Sequence, residues 1–263
     1  MSNRHAGFFD RHYFLLRRLH SLSGIFPIGA FLLVHLTTNA SIVWGDWLNP
    51  AHHGHAGVET FQHEVDFIQN LPALVLLEWG LLFFPIIFHS VLGMYFAFSG
   101  RTNVHRYPYQ NNWRYTLQRI SGYLGVVFII MHITSLRFGV TYWNLMPAFD
   151  GDAASSSTAA HFQNGVWGWF ASIFYLVCVL ALVFHFANGL WTAAITWGLT
   201  LSVQAQRRWG VVCAAVGMGL GAATVMAVIG FSTLDIDQAR EVEQAIKGAS
   251  ADRQLVDGDS DQR

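Results

Sequence analysis

Five apolar stretches, each roughly 20 residues long and almost free of charge, dominate this sequence, and that is the length that crosses the hydrocarbon of a bilayer. They fall at about Leu22–Val43, Pro72–Phe98, Ile120–Leu136, Gly168–Ala193 and Gly210–Leu234. The third is short unless it extends back toward Trp113. Backbone in lipid must satisfy its own polar groups. The sequence therefore predicts an all-α membrane protein, a bundle of five transmembrane helices over 1–234, followed by an acidic, flexible tail over 235–263. Only 12% of the 263 residues are charged, about half the ~25% of a soluble domain, and those charges are segregated.

Their distribution orients the chain. Arg4, Arg11, Arg17 and Arg18 precede the first span; Arg101, Arg106, Arg114 and Arg119 lie between spans two and three; Arg207 and Arg208 lie between four and five. The connection from Trp44 to Leu71 has no Lys or Arg, and the one after span three has Asp150 and Asp152 with only Arg137 at its edge. By the positive-inside rule the N-terminus is expected to be cytoplasmic and the C-terminus outside. The first span is too long for a signal-peptide core and is expected to stay as an anchor. Cys178 and Cys213 fall inside spans without a C-x-x-C pattern, which favours packed thiols over a zinc site or covalent haem.

One histidine lies in each of the first four spans: His35, His89, His132 and His185. An imidazole in hydrocarbon is costly and marks a functional site by default. Counted from the outer ends, His35 and His132 lie about 7–14 Å deep, and His89 and His185 about 25 Å deep. The four thus sort into an outer pair from spans one and three and an inner pair from spans two and four. An internal duplication agrees with that sorting. Ser23-Gly24 precedes His35 and Ser121-Gly122 precedes His132, while Phe88-His89-x-x-x-Gly93 matches Phe184-His185-x-x-x-Gly189. A glycine one turn from each inner histidine is expected to let a flat macrocycle approach the backbone.

Two facing imidazoles at one level suit a bis-histidine haem, and two such pairs suit two haem b groups. Neutral imidazole brings no charge into a low-dielectric site, and filling both axial positions of the iron favours electron transfer over oxygen binding. The alternatives are histidines that only bond neighbouring helices, or a proton-relay transporter. The latter would carry more buried carboxylates and broken helices, and only Glu78 lies well inside a span. Arg17, Arg18 and Arg119, with Arg114, Arg207 and Arg208, are candidates for pairing haem propionates.

Several segments resemble the cytochrome b558 subunit of succinate dehydrogenase. They are Phe14-Leu15-Leu16-Arg17-Arg18-Leu19-His20-Ser21-Leu22-Ser23-Gly24, Val34-His35-Leu36, Phe67-Ile68-Gln69-Asn70-Leu71-Pro72, Phe88 to Gly93, and Gln118-Arg119-Ile120-Ser121-Gly122. The most specific is Phe184-His185-Phe186-Ala187-Asn188-Gly189-Leu190-Trp191, followed by Thr196-Trp197-Gly198. The resemblance runs from about Phe8 to Phe231 and implies a di-haem membrane anchor of a succinate:quinone or fumarate reductase in a bacterial cytoplasmic membrane. It implies flavoprotein and iron–sulfur partners on the cytoplasmic face, His89 and His185 as ligands of the haem nearer that face, and His35 and His132 as ligands of the distal haem. The family usually employs menaquinone. The chain has no dinucleotide fingerprint and no iron–sulfur cysteine set, so dicarboxylate chemistry is expected on the partners. A di-haem anchor of a hydrogenase or formate dehydrogenase is the competing function, and a haem-free receptor or scaffold the non-enzymatic one.

Quinone reduction needs protons, and Glu78, about 9 Å deep, is the candidate carrier. His52, His53, His55 and His63 are expected in a solvated outer loop, with a metal site as the alternative. His20, at the inner edge of span one, is a candidate for a propionate or packing contact. His5, His12, His105 and His161 carry no assignment. In the tail, Gln238–Lys247 is expected to form a short surface helix and the remainder to be disordered.

Overall fold

The computed structural model of the chain describes residues 7–52, 55–99 and 110–260. Arg4, His5, His53, Arg101, His105, Arg106 and the last residues, 261–263, lie outside the described residues, as do the side chains of His52 and of 251–260. Every regular element among the described residues is helical. After one turn at Phe8–Arg11 come α1 (Tyr13–Ile25), α2 (Ile28–Leu48), α3 (Ala56–Gln69) and α4, an almost unbroken run over Leu74–Ser99. These are followed by α5 (Gln110–Leu136), α6 (Ala154–Gln163), α7 (Gly165–Thr196), α8 (Val203–Thr233) and α9 (Ile236–Ser260).

Among the described residues, five segments are long and apolar enough to cross a membrane: Tyr13–Leu48, Leu74–Ser99, Asn112–Leu136, Gly165–Thr196 and Val203–Thr233. All but the second extend well beyond the expected apolar stretch, because polar residues can continue a helix whose backbone hydrogen bonds are internal. The third does reach back past Trp113. The first departs from the expected single helix. Pro27 offers no backbone donor and forces the residue before it out of helical geometry; Phe26 is extended (φ −138°, ψ 123°) and α1 ends there. Within α4, residues Glu78–Phe83 adopt a π-helical segment, a form found mostly as short bulges and frequently at functional sites.

Internal contacts divide the chain into two units. The first comprises the described residues of Met1–Val34, Val75–Val127 and Cys178–Gly221, in which α1 packs on α4. The second comprises His35–Leu74, Phe128–Val177 and the described residues of Ala222–Arg263.

In the second unit the connections after spans one and three contain α3 and α6, and these pack on each other and on α9. The close approach of α2 to α3 needs glycine: a Cβ on Gly57 would lie 2.2 Å from the Ile42 carbonyl oxygen. The Gly57 N–H donates to Asp46 Oδ1 at 2.8 Å. Gln62, 3% exposed, ties α3 to the turn before α6, donating to the Gly151 carbonyl at 2.9 Å and accepting from the Ala154 N–H at 3.0 Å. The histidine-rich segment is only partly a solvated loop. His63 is exposed, but His55 meets Gln238 of α9 at 3.1 Å, and Ala56 behind it is buried.

The tail also differs from expectation, its helix running over Ile236–Ser260 rather than 238–247. Ala239 and Val242 of α9 are buried. Glu243, 3% exposed, accepts from the Ser155 and Ser156 N–H groups at 2.8 and 3.0 Å and from the Ser156 hydroxyl at 2.6 Å. The two N–H groups are first-turn donors of α6 that have no partner within their own helix, and a carboxylate at a helix N-terminus is favoured by its dipole.

Candidate functional site

In the first unit, His89 of α4 and His185 of α7 face each other with ring centroids 6.1 Å apart and planes at 80°. In the second unit, His35 of α2 and His132 of α5 pair in the same way, at 5.8 Å and 78°. The structure thus brings together the same couples that depth along the sequence selects.

Each ring of the first couple is held by the duplicated segment of a neighbouring helix. His89 Nδ1 lies 2.9 Å from the His20 carbonyl oxygen, and His185 Nδ1 lies 3.0 Å from that of Gln118. A carbonyl only accepts, so Nδ1 carries the proton in both rings and Nε2 keeps its lone pair. Three residues on, the hydroxyls of Ser23 and Ser121 donate to those same carbonyls at 2.9 and 3.1 Å. Each hydroxyl also stands 3.3 Å from Nδ1. The next residue is glycine in both copies because the imidazole lies against it: a Cβ on Gly24 would sit 2.5 Å from His89 Cε1, and one on Gly122 3.1 Å from His185 Cε1.

The second couple is fixed differently. His132 Nδ1 meets the Tyr175 hydroxyl at 3.4 Å, and Phe128 stacks on the same ring at 5.3 Å. Asn39 donates to the His35 carbonyl at 2.8 Å.

Paired neutral imidazoles with Nδ1–H bound to a carbonyl are the usual form of a metal-ligating histidine, oriented through its second nitrogen. Two imidazoles on opposite sides of one metal, with bonds of about 2 Å, would have ring centroids about 6 Å apart. No cluster of three or more His, Cys, Asp or Glu side chains suited to a metal ion occurs among the described residues. A bare ion would therefore find only two protein donors here, whereas haem brings four nitrogens of its own and asks the protein for two. The donor sets fit haem iron.

Other candidates fall as follows. His20 stacks on His89 at 4.0 Å, 15° from parallel, and lies where a Cβ on Gly93 would come within 3.0 Å of its Cε1. Gly189 correspondingly faces Gln118. Gly93 is thus closely covered by the His20 ring, whereas Gly189 is in ordinary van der Waals contact with the Gln118 amide, 3.6 Å from where its Cβ would lie. Arg17 lies near Tyr13 and Phe96, Arg18 over Trp197 at 5.6 Å, and Arg119 donates to the Ala97 carbonyl and covers Tyr115. Glu78 is half-buried at the start of the π segment and belongs to the first unit, whereas His35 and His132 belong to the second. Cys178 and Cys213 are buried thiols.

Sequence reasoning missed the carbonyl and serine partners of His89 and His185. The signal was present in the repeated Ser-Gly, whose spacing was visible but whose partner helix was not. It also passed over His161 of α6, 1% exposed, which meets the Ser135 hydroxyl at 3.2 Å and the Ser157 carbonyl at 3.4 Å. Burial holds its pKa below the usual imidazole value.

Five membrane-length segments among the described residues, four of them carrying the two imidazole couples, define a multi-pass membrane protein. No family model matches the sequence. The chain is, however, 34% identical over 194 residues to the succinate dehydrogenase cytochrome b558 subunit of Bacillus subtilis (strain 168), a match covering 74% of this chain and 85% of that relative. It belongs to the succinate dehydrogenase cytochrome b558 family.

Proposed function

We propose that this protein is the di-haem membrane anchor of a succinate:quinone oxidoreductase, with His89 and His185 holding one haem b and His35 and His132 the other. The observation that carries this reading is the pairing itself, two imidazole couples at 6.1 and 5.8 Å in a chain of this family. Haem b supplies a reversible one-electron centre, and two of them would link an iron–sulfur partner at the cytoplasmic face to menaquinone near the outer face.

The chain's own contribution is to fix the ligands. The carbonyls of His20 and Gln118 set the tautomer of the inner rings, so that Nε2 is offered without a proton having to leave. Gly24 and Gly122 leave room for the rings against the helix backbone. Arg17, Arg18 and Arg119 are the cations offered to propionates, and Glu78 is the proposed proton carrier for quinone. Menaquinone is a weak oxidant for succinate; moving an electron outward across a potential negative inside releases about 2.3 kcal/mol per charge per 100 mV, which helps drive the reaction. The flavoprotein and iron–sulfur subunits would bind dicarboxylate and deliver the electrons.

The test is an optical spectrum of membranes containing the intact complex. Succinate should rapidly reduce low-spin, bis-histidine haem b. A complex without haem, or haem reducible by hydrogen or formate but not by succinate, would overturn the reading.

A further inference from the structure

The two copies of the repeat hold His89 and His185 through nearly identical backbone contacts, yet they differ in what stands behind them. Behind His185 runs an unbroken polar chain. Arg114 Nε donates to Asn188 Oδ1 at 2.9 Å, Asn188 Nδ2 to Gln118 Oε1 at 2.7 Å, and Gln118 Nε2 to the His185 carbonyl at 3.0 Å. The Arg114 guanidinium also lies 4.0 Å from the centre of the Trp191 ring. In the other copy, with the same spacing from the serine and the histidine, the equivalent positions are Leu16, Leu92 and His20. Leu92 is as buried as Asn188, 6% against 5% exposed. One buried position is thus apolar in one copy and polar in the other.

Burying an amide is unfavourable unless its hydrogen bonds are made. Here they are made, and only one way round. Arginine has donors and no acceptor, so Asn188 must turn its oxygen to Arg114 and its nitrogen to Gln118. Gln118 must then turn its nitrogen to the His185 carbonyl, which only accepts. A donor-only group at one end and an acceptor-only group at the other fix both amide orientations. Gln118 thereby grips His185 twice, its main-chain carbonyl taking Nδ1–H and its side chain giving to the His185 main chain.

We propose that Arg114, Asn188 and Gln118 are positioning residues for His185, a side-chain relay that Leu16, Leu92 and His20 do not repeat beside His89, and that they set the ring orientation and reduction potential of the His89/His185 haem and not of the His35/His132 haem. The proposal rests on the di-haem reading above. A cation at the end of an oriented chain favours the iron state of lower charge, the ferrous one. A ring gripped from both sides keeps one angle to its partner imidazole, and the low-spin electron paramagnetic resonance signal reports that angle.

The test uses the complete complex carrying Gln118→Glu, which preserves shape but places two oxygens against each other at the His185 carbonyl. Arg114→Gln, the link farthest from the ligand, serves as the second variant and carries the test alone if the first does not assemble. Redox titration should show one haem harder to reduce, its ferrous-to-ferric ratio at a fixed potential falling about tenfold, or ~59 mV for one electron. The resonance signal of that haem should shift while the other haem keeps both its potential and its signal. Unchanged potentials and signals, or equal shifts at both haems, would overturn the proposal. A parent complex without bis-histidine haem would instead overturn the function on which it rests.

Discussion

Gly24 and His89 touch so closely that a single methyl group between them would lie 2.5 Å from the imidazole Cε1. Gly24→Ala must therefore push the ring off the His20 carbonyl, whereas Gly122→Ala, at 3.1 Å from His185 Cε1, asks for a shift of a few tenths of an ångström. Overpacking of this kind costs on the order of 1–3 kcal/mol. Gly24→Ala is expected to lower the content of one haem and Gly122→Ala to do so much less, as measured by pyridine haemochrome per complex. Equal effects would mean that ring clearance is not what these glycines provide.

On the di-haem proposal, replacing the four histidines one at a time should separate the two haems. His89→Ala and His185→Ala are expected to remove one and the same spectral component, and His35→Ala and His132→Ala the other. Redox-resolved spectra of the four variants would show this. Crossed losses would break the pairing.

Glu78→Gln is expected to block quinol turnover while leaving both haem spectra intact, because the amide keeps the shape of the carboxyl and cannot carry its proton. Quinone reductase activity measured beside the optical spectrum decides it, and normal turnover removes Glu78 from the mechanism.

Glu243 joins α9 to α6 through three donors, two of them otherwise unpaired main-chain N–H groups. Glu243→Ala strands those groups, at about 1–3 kcal/mol for a buried unsatisfied donor. The change should appear as faster hydrogen exchange at Ser155 and Ser156. Lys247→Ala is the control, since its 2.6 Å bond to Asp152 is exposed on both sides and exposed pairs contribute little; it should leave exchange at those amides unchanged.

His161 gives the second unit a pH dependence of known sign. Burial depresses its pKa in the folded chain, so below the unfolded value of about 6.5 the unfolded state binds the extra proton and gains stability. Stability should therefore be full above that pH and fall as pH drops through and below it. His161→Gln should flatten that part of a thermal-stability profile; an unchanged slope would assign it to other groups.

The five spans and the sorting of His35 with His132 and His89 with His185 were legible in the sequence because hydrocarbon leaves few choices. A run of apolar residues in lipid must be helical, and a fixed rise per residue turns position into depth. Boundaries were less legible, since polar residues such as Tyr13, Gln204 and Gln206 continue helices that hydropathy alone ends earlier. Only tertiary structure decided that the His20 and Gln118 carbonyls lock the His89 and His185 rings, because every residue has a carbonyl and nothing in a sequence marks the one that a distant imidazole will reach. The same holds for Glu243: among the charges of an acidic tail it reads as solvated, and it becomes buried only because folding delivers three donors to it at once.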